Sequence, residues 1–144
     1  LIEFTTSMTG EAFHVMCEYS ILGALIDKAA NHNEKAFMNG VEASAKEGGL
    51  LAHLFSVRAN GLFRILDESA QSSYLSGILI GHEIRSLSEI YASESGDILL
   101  VGSPKLTALY SLAMTQLCVG HQQVDGSQAV IRGISSFWSA HHKF

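Results

Sequence analysis

Residues 98–110, ILLVGSPKLTALY, constrain the fold more than any other stretch of this 144-residue chain. Four consecutive aliphatic residues, Ile98, Leu99, Leu100 and Val101, predict a short strand covered on both faces, the pattern of a parallel sheet. Gly102 interrupts the run. Ser103 stands where a helix N-cap belongs and Pro104 at the first helical position, where a missing N–H costs nothing. Leu106, Leu109, Tyr110 and Ala113 then give the following helix one apolar face. A buried strand, a glycine turn and a helix start place unpaired N–H groups and a positive dipole end at the carboxyl edge of a sheet. In α/β folds that edge binds phosphates and nucleotides. An ordinary strand-to-helix connection without a ligand has the same sequence, and this stretch alone leaves both readings open.

Hydrophobic residues make up 47% of the chain and charged residues 16%, which excludes a disordered segment and predicts one domain with a sizeable core. The net charge of −5 argues against a nucleic-acid partner, since no basic stripe exists to neutralise phosphates. No run approaches the roughly 18 apolar residues of a membrane span. The chain starts at Leu1 with a strand-like segment rather than a charged, then apolar leader, so it reads as an excerpt or processed fragment without a secretion signal. Cys17 and Cys118 lack CxxC partners, which predicts a reduced cytoplasmic protein with two buried thiols.

Residues 1–8 alternate loosely and are rich in β-formers, predicting a strand. Thr9 can cap the next element, with Glu11 in its first turn. Residues 12–30 show helical spacing with a break around Gly23. Asn31, His32 and Asn33 form a turn, and residues 34–46 a more polar helix ended by Gly48 and Gly49. Residues 50–66 read as a helix carrying Leu51, Leu54, Phe55, Leu62, Phe63 and Leu66. Asp67, Glu68 and Ser69 open the longest helix, residues 69–91, with Leu75, Ile78, Leu79, Gly81, Ile84, Leu87 and Ile90 on its buried side. Gly77 and Gly81 share a face there. Each costs a helix up to about 1 kcal/mol, so the pair predicts close approach of another backbone. Residues 93–96 form a loop. Residues 119–124 are a weaker strand candidate, and Asp125, Gly126 and Ser127 begin a last helix through Val130, Ile131, Ile134, Phe137 and Trp138. The order is strand, four helices, then strand–helix–strand–helix, with no repeat and no internal boundary.

The seven histidines are scattered, without HExxH or Cys/His zinc spacing, so no metal site built by the protein is expected. His82 and Glu83 resemble an acid–base pair, but neighbours on a helix diverge by about 100°, so one is expected to pack and the other to meet solvent. GxSxG, HRD-type and GxxxxGK[ST] motifs are absent. Thr9, Gly10 and Glu11 are a second candidate for ligand contact, with a plain helix cap as the alternative. Arg58 and Arg64 are expected to pair with nearby acids rather than hold an anion.

Four stretches carry a resemblance: SMTGEAFHVMCEYSILG (residues 7–23), LFSVRANGLF (54–63), YLSGILIGHEI (74–84) and LLVGSPKLTALY (99–110). In this order they resemble the C-terminal half of the 2-dehydro-3-deoxygalactonokinases, across nearly the whole chain. The resemblance implies the actin-like, hexokinase-like ATPase superfamily, in which two ribonuclease-H-like domains bind ATP and a sugar acid in the cleft between them. Residues 1–144 would then be a helix-rich α/β C-terminal lobe, partial, with its own N-terminal domain as partner. It further implies ATP-dependent phosphorylation of the 6-hydroxyl of 2-dehydro-3-deoxygalactonate in the cytoplasm, with Mg²⁺ carried on the nucleotide.

By the same resemblance, Gly102, Ser103, Pro104 and Lys105 fall on the adenosine-contacting turn, although Ser103 replaces the second glycine common there. Asp125, Gly126 and Ser127 match a second connecting segment, whose helix returns to the domain interface, with Asp and Gly in reversed order. Thr9, Gly10 and Glu11 match a Thr-Gly-Glu that follows a phosphate-binding hairpin, as candidate ligand or domain-interface contacts. The Asp-x-Gly-[ST] loop, the hairpin and the catalytic carboxylate of such kinases are not in this sequence. Phosphoryl transfer needs charge neutralisation around the γ-phosphate and a base at the attacking hydroxyl, so this chain would supply the adenine side and no catalytic residue. The rival expectation is a regulatory or scaffolding domain of the same superfamily. An unrelated helical binding module is argued against by the strand–turn–helix of residues 98–110.

Overall fold

The computed structural model describes residues 4–92, 96 and 98–141, and the side chains of these up to residue 139. The chain forms two compact units, Leu1–Ser93 and Glu94–Phe144. The sequence carries no boundary signal there because residues 93–96 read as an ordinary loop, without the shift in composition that marks a linker.

The first unit is helical: α1 (Thr9–Tyr19), a 3-10 turn (Gly23–Leu25), α2 (Glu34–Ser44), α3 (Gly49–Leu62) and α4 (Glu68–Ile90). Helix α4 is its axis, and α1, α2 and α3 all pack on it. The expected buried stripe of α4 is real over Leu75, Ile78, Leu79, Gly81 and Ile84, and only its end, Ile90, is exposed. The α2–α4 contact is backbone on backbone. A Cβ added to Gly77 would fall on the Phe37 carbonyl, one added to Gly40 on the Tyr74 carbonyl, and one added to Gly81 on the Ser44 hydroxyl. Phe37 and Val41 are completely buried at this seam.

Local chemistry sets the helix ends. The Asn33 side chain caps α2 by accepting from the Ala36 N–H at 2.9 Å. Gly48 and Gly49 take φ of 125° and 74°, conformations an L side chain resists, and turn the chain into α3. Helix α1 stops at Tyr19 rather than near Gly23, because Ser20 Oγ donates to the Met16 carbonyl at 2.7 Å and accepts from the Leu22 N–H at 3.1 Å. Helix α3 stops at Leu62 rather than Leu66. Arg64 takes φ 54°, and the Asn60 carbonyl accepts the N–H groups of Ile65 and Leu66 at 2.8 and 3.2 Å.

Three further expectations are corrected in this unit. Residues 4–8 form no strand, since alternation becomes a strand only by pairing and the one ladder among the described residues lies elsewhere. Met8, not Thr9, holds the N-cap of α1, and the Thr9 hydroxyl is hydrogen-bonded to that of Ser7 at 2.7 Å. Helix α3 turns His53, Leu54 and Val57 to the core, so Leu51, Phe55 and Leu62 are exposed, as is Phe63 just beyond its end.

The second unit is β1 (Ile98–Gly102), α5 (Pro104–Gln116), β2 (His121–Asp125) and α6 (Gly126–His141). The strands pair in parallel, from Ile98 opposite His121 to Gly102 opposite Asp125. The fold class is thus helix-rich α/β with a small parallel sheet. The strand prediction is borne out, but β1 is not covered on both faces. Leu99 and Val101, which share one face by the two-residue period, are 57% and 52% exposed. Helix α5 buries Ala113 and Met114 while Leu106 stays exposed. The apolar stripe of α6, Val130, Ile131, Ile134, Phe137 and Trp138, is likewise exposed. Cys17 is buried as expected. Cys118 is exposed, in the turn that ends α5, where it adopts φ 58°.

Candidate functional site

In the second unit the two strands end level, so Gly102 and Asp125 face each other and α5 and α6 both begin at the same sheet edge. A Cβ on Gly126 would lie 3.2 Å from the Gly102 carbonyl oxygen, which is why a glycine follows the strand there. A Cβ on Gly102 would meet only Thr107 Cγ2, at 3.4 Å, leaving open space beside the turn. Ser103 occupies the N-cap and Pro104 the first turn of α5, as predicted, but the cap works through the backbone. The Ser103 carbonyl accepts the N–H groups of Leu106 and Thr107, both at 3.0 Å, and its hydroxyl makes no capping bond. At α6 the cap is Asp125, whose Oδ1 accepts the Gln128 N–H at 3.0 Å.

Two helix starts at one carboxyl edge offer unpaired N–H groups and two positive dipole ends, a setting suited to an anion. The Asp125 carboxylate offsets part of that field on the α6 side. A cavity of about 160 Å³ runs beside the turn, lined by Leu100, Val101, Gly102, Leu106, Thr107 and Tyr110. Ser103, Pro104 and Lys105 are exposed and stand outside it. His121 ties β2 to α5. Its Nδ1–H donates to the Val119 carbonyl at 3.0 Å, so Nε2 accepts from the Ser111 hydroxyl at 2.6 Å.

In the first unit Thr9 lines a cavity of about 390 Å³ whose polar walls are Ser7, Thr9, His82, Glu83 and Ser86. Gly10 and Glu11 are exposed and do not line it. His82 and Glu83 are both half-buried and both line it, so they do not divide into one packed and one solvated side chain. Sequence reasoning missed His53, which stands 29 residues from His82 and meets it at 2.8 Å, Nδ1 to Nε2. The signal available was its place beside Leu54 on the stripe of α3 that turns inward. Burial, then the neighbouring His53 and Arg85, push the His82 imidazole below its ordinary value of 6.5.

Among the described residues Arg58 pairs with no acid. Its Nη1 donates to the Ile21 carbonyl at 2.8 Å, tying α3 to the loop after α1. Arg64 lines a cavity with Asp67 and Glu68. Among the described residues no three His, Cys, Asp or Glu side chains gather as a metal site. No helix among them is long and apolar enough to cross a membrane.

The 2-dehydro-3-deoxygalactonokinase of Escherichia coli (strain K12) is 34% identical over 134 residues, covering 93% of this chain and 45% of the relative. A Rhizobium meliloti protein assigned the same kinase name is 33% identical over 136 residues, covering 92% and 44%. A crystal structure of a Sinorhizobium meliloti protein, also assigned that name, superposes with a TM-score of 0.85 at 32% identity, over 99% of this chain and 48% of the other. The chain therefore spans about half the length of the relatives it matches. The sequence profile of the 2-keto-3-deoxy-galactonokinase family matches residues 1–137, and with the shared fold this places the chain in that family.

Proposed function

We propose that the protein transfers the γ-phosphoryl group of ATP to the 6-hydroxyl of 2-dehydro-3-deoxy-D-galactonate, and that this chain is its nucleotide-side, C-terminal lobe. The observation that carries the reading is the level ending of β1 and β2, which gathers Gly102, Ser103, Asp125 and Gly126 at one edge with two helix starts. Family membership supplies the reaction class. Adenosine packs against the open side of the Gly102–Lys105 turn, where only Thr107 Cγ2 comes within 4 Å of the Gly102 Cβ position. The Lys105 N–H, which the Ser103 carbonyl does not engage, faces the nucleotide's polar atoms, and the Lys105 side chain adds a cation beside it. Thr9, Gly10 and Glu11, at the start of α1, contact the ligand or the companion domain. Mg²⁺ arrives on the nucleotide and screens its phosphates during transfer.

The actin-like architecture and a cytoplasmic site of action belong to the same proposal. So does an N-terminal domain carrying the phosphate loops and the base. The 144-residue chain by itself is expected to turn over no sugar acid. The test is a coupled ADP-release assay on the full-length protein with 2-dehydro-3-deoxy-D-galactonate, expected to show turnover that depends on the sugar acid. Folded full-length protein without turnover on any 2-keto-3-deoxy sugar acid would overturn the reading in favour of a regulatory or scaffolding domain.

A further inference from the structure

We propose that the cavity between the start of α1 and the face of α4 seats the hydroxyl-bearing carbons of the sugar acid, with His82 accepting a hydrogen bond from a sugar hydroxyl and His53 positioning its ring. The substrate class rests on the kinase reading above; the geometry stands apart from it.

The tautomers follow from one fixed partner. His53 is 8% exposed, and its Nε2 lies 3.1 Å from the Glu47 carbonyl, which can only accept. Nε2 therefore carries the proton, and in the neutral ring Nδ1 carries the lone pair. His82 Nε2, at 2.8 Å from that lone pair, must donate. The remaining nitrogen of His82, Nδ1, is then an acceptor and makes no hydrogen bond to any described residue. A histidine on a cavity wall with its donor committed and its acceptor free matches a ligand O–H.

The other walls suit the same ligand. Ser7 and Thr9 share one hydroxyl–hydroxyl bond at 2.7 Å, which leaves one of their protons to give. Ser86 adds a third hydroxyl. The lining holds one carboxylate, Glu83, and no cation, so this cavity takes the polyol end of a sugar acid and not its carboxylate. The charged groups facing His82 are Glu83, Arg85 and Glu89 on α4, with Lys46 on the connection between α2 and α3; α1 adds Thr9 and Ala12 and no charge. Lys46, Arg85 and Glu89 line an adjoining cavity of about 270 Å³ that shares His82 and Ser86, and with two cations against one carboxylate the acid end of the ligand belongs on that side. At about 390 Å³ the first cavity is within the range of small-molecule sites, roughly 300–1,000 Å³.

The test uses the full-length protein and two substitutions. His82→Gln keeps an N–H toward His53 but loses the second ring nitrogen; His82→Asn keeps an oxygen near the position of Nδ1. His82→Gln is expected to raise the KM for 2-dehydro-3-deoxygalactonate about tenfold, the worth of one hydrogen bond, with the KM for ATP within about twofold. His82→Asn should recover most of the loss. In the parent protein the sugar-acid KM should rise as pH falls through a midpoint below 6.5, because a protonated Nδ1 donates instead of accepting, and this dependence should vanish in both variants. Calorimetric titration of D-galactonate without ATP gives a readout independent of catalysis. Galactonate binding lost in His82→Gln, in a protein inactive toward every sugar acid, would sink the kinase reading and leave the cavity assignment standing. An active kinase whose folded His82→Gln variant keeps the parental sugar-acid KM and galactonate affinity would overturn the cavity assignment alone. If His82→Gln fails to fold, galactonate protection of the parent's His82 from diethylpyrocarbonate decides, and no protection overturns the proposal.

Discussion

Gly77→Ala should destabilise the first unit, against the ordinary preference of a helix for alanine. In an open helix the change gains about 1 kcal/mol. Here the new Cβ meets the Phe37 carbonyl, with Val41 N at 2.9 Å and Phe37 C at 3.0 Å. These are backbone atoms that cannot rotate aside, while normal contact begins near 3.4 Å. Helix α2 must back away by about half an ångström or more, and a gap of 0.5–1 Å forfeits roughly a quarter to a half of each dispersion contact across it. Phe37 and Val41 on α2 and Leu75 and Ile78 on α4 are completely buried. At about 2 kcal/mol for each such side chain, the loss is about 2–4 kcal/mol. Net of the helix preference, destabilisation of about 2 kcal/mol is expected, or about 1 M in the urea midpoint. Far-UV circular dichroism of the full-length protein in urea reads it. Gly133→Ala is the control, because nothing lies within 4 Å of its Cβ position on α6. It should be neutral or stabilising by up to about 1 kcal/mol. A Gly77→Ala midpoint equal to or above that of the parent would refute the close-approach account of α2 and α4.

Gly102→Val in the full-length enzyme should raise the KM for ATP more than it lowers kcat and leave the sugar-acid KM less changed. Gly102 is not among the glycines with positive φ, so the variant is expected to fold, and an unchanged ATP KM in a protein of parental melting temperature would move the nucleotide from this turn. Asp125→Ala removes the side-chain acceptor of the Gln128 N–H and should cost about 1 kcal/mol, with Asp125→Asn near the parent. Melting curves check both, and an alanine variant as stable as the parent would show that the cap contributes nothing.

The sequence by itself determined the elements whose signals are local. A four-residue aliphatic run followed by Gly, Ser and Pro specifies a strand end and a helix start without help from the rest of the chain, and β1 and α5 lie there. The glycine pair on the longest helix likewise announced a backbone neighbour, because two costly residues on one face have few other uses. Covering layers are not local. Residues 98–101 read as a strand buried on both faces, yet Leu99 and Val101 are exposed, since burial depends on what stands opposite them. Residues 4–8 alternate like a strand but have no ladder partner among the described residues. Only the tertiary structure placed Gly102 opposite Asp125 and His53 against His82. The first pairing depends on strand register and the second on how α3 and α4 are rotated about their axes. Both are settled by the packing of whole elements, which no short window of sequence contains.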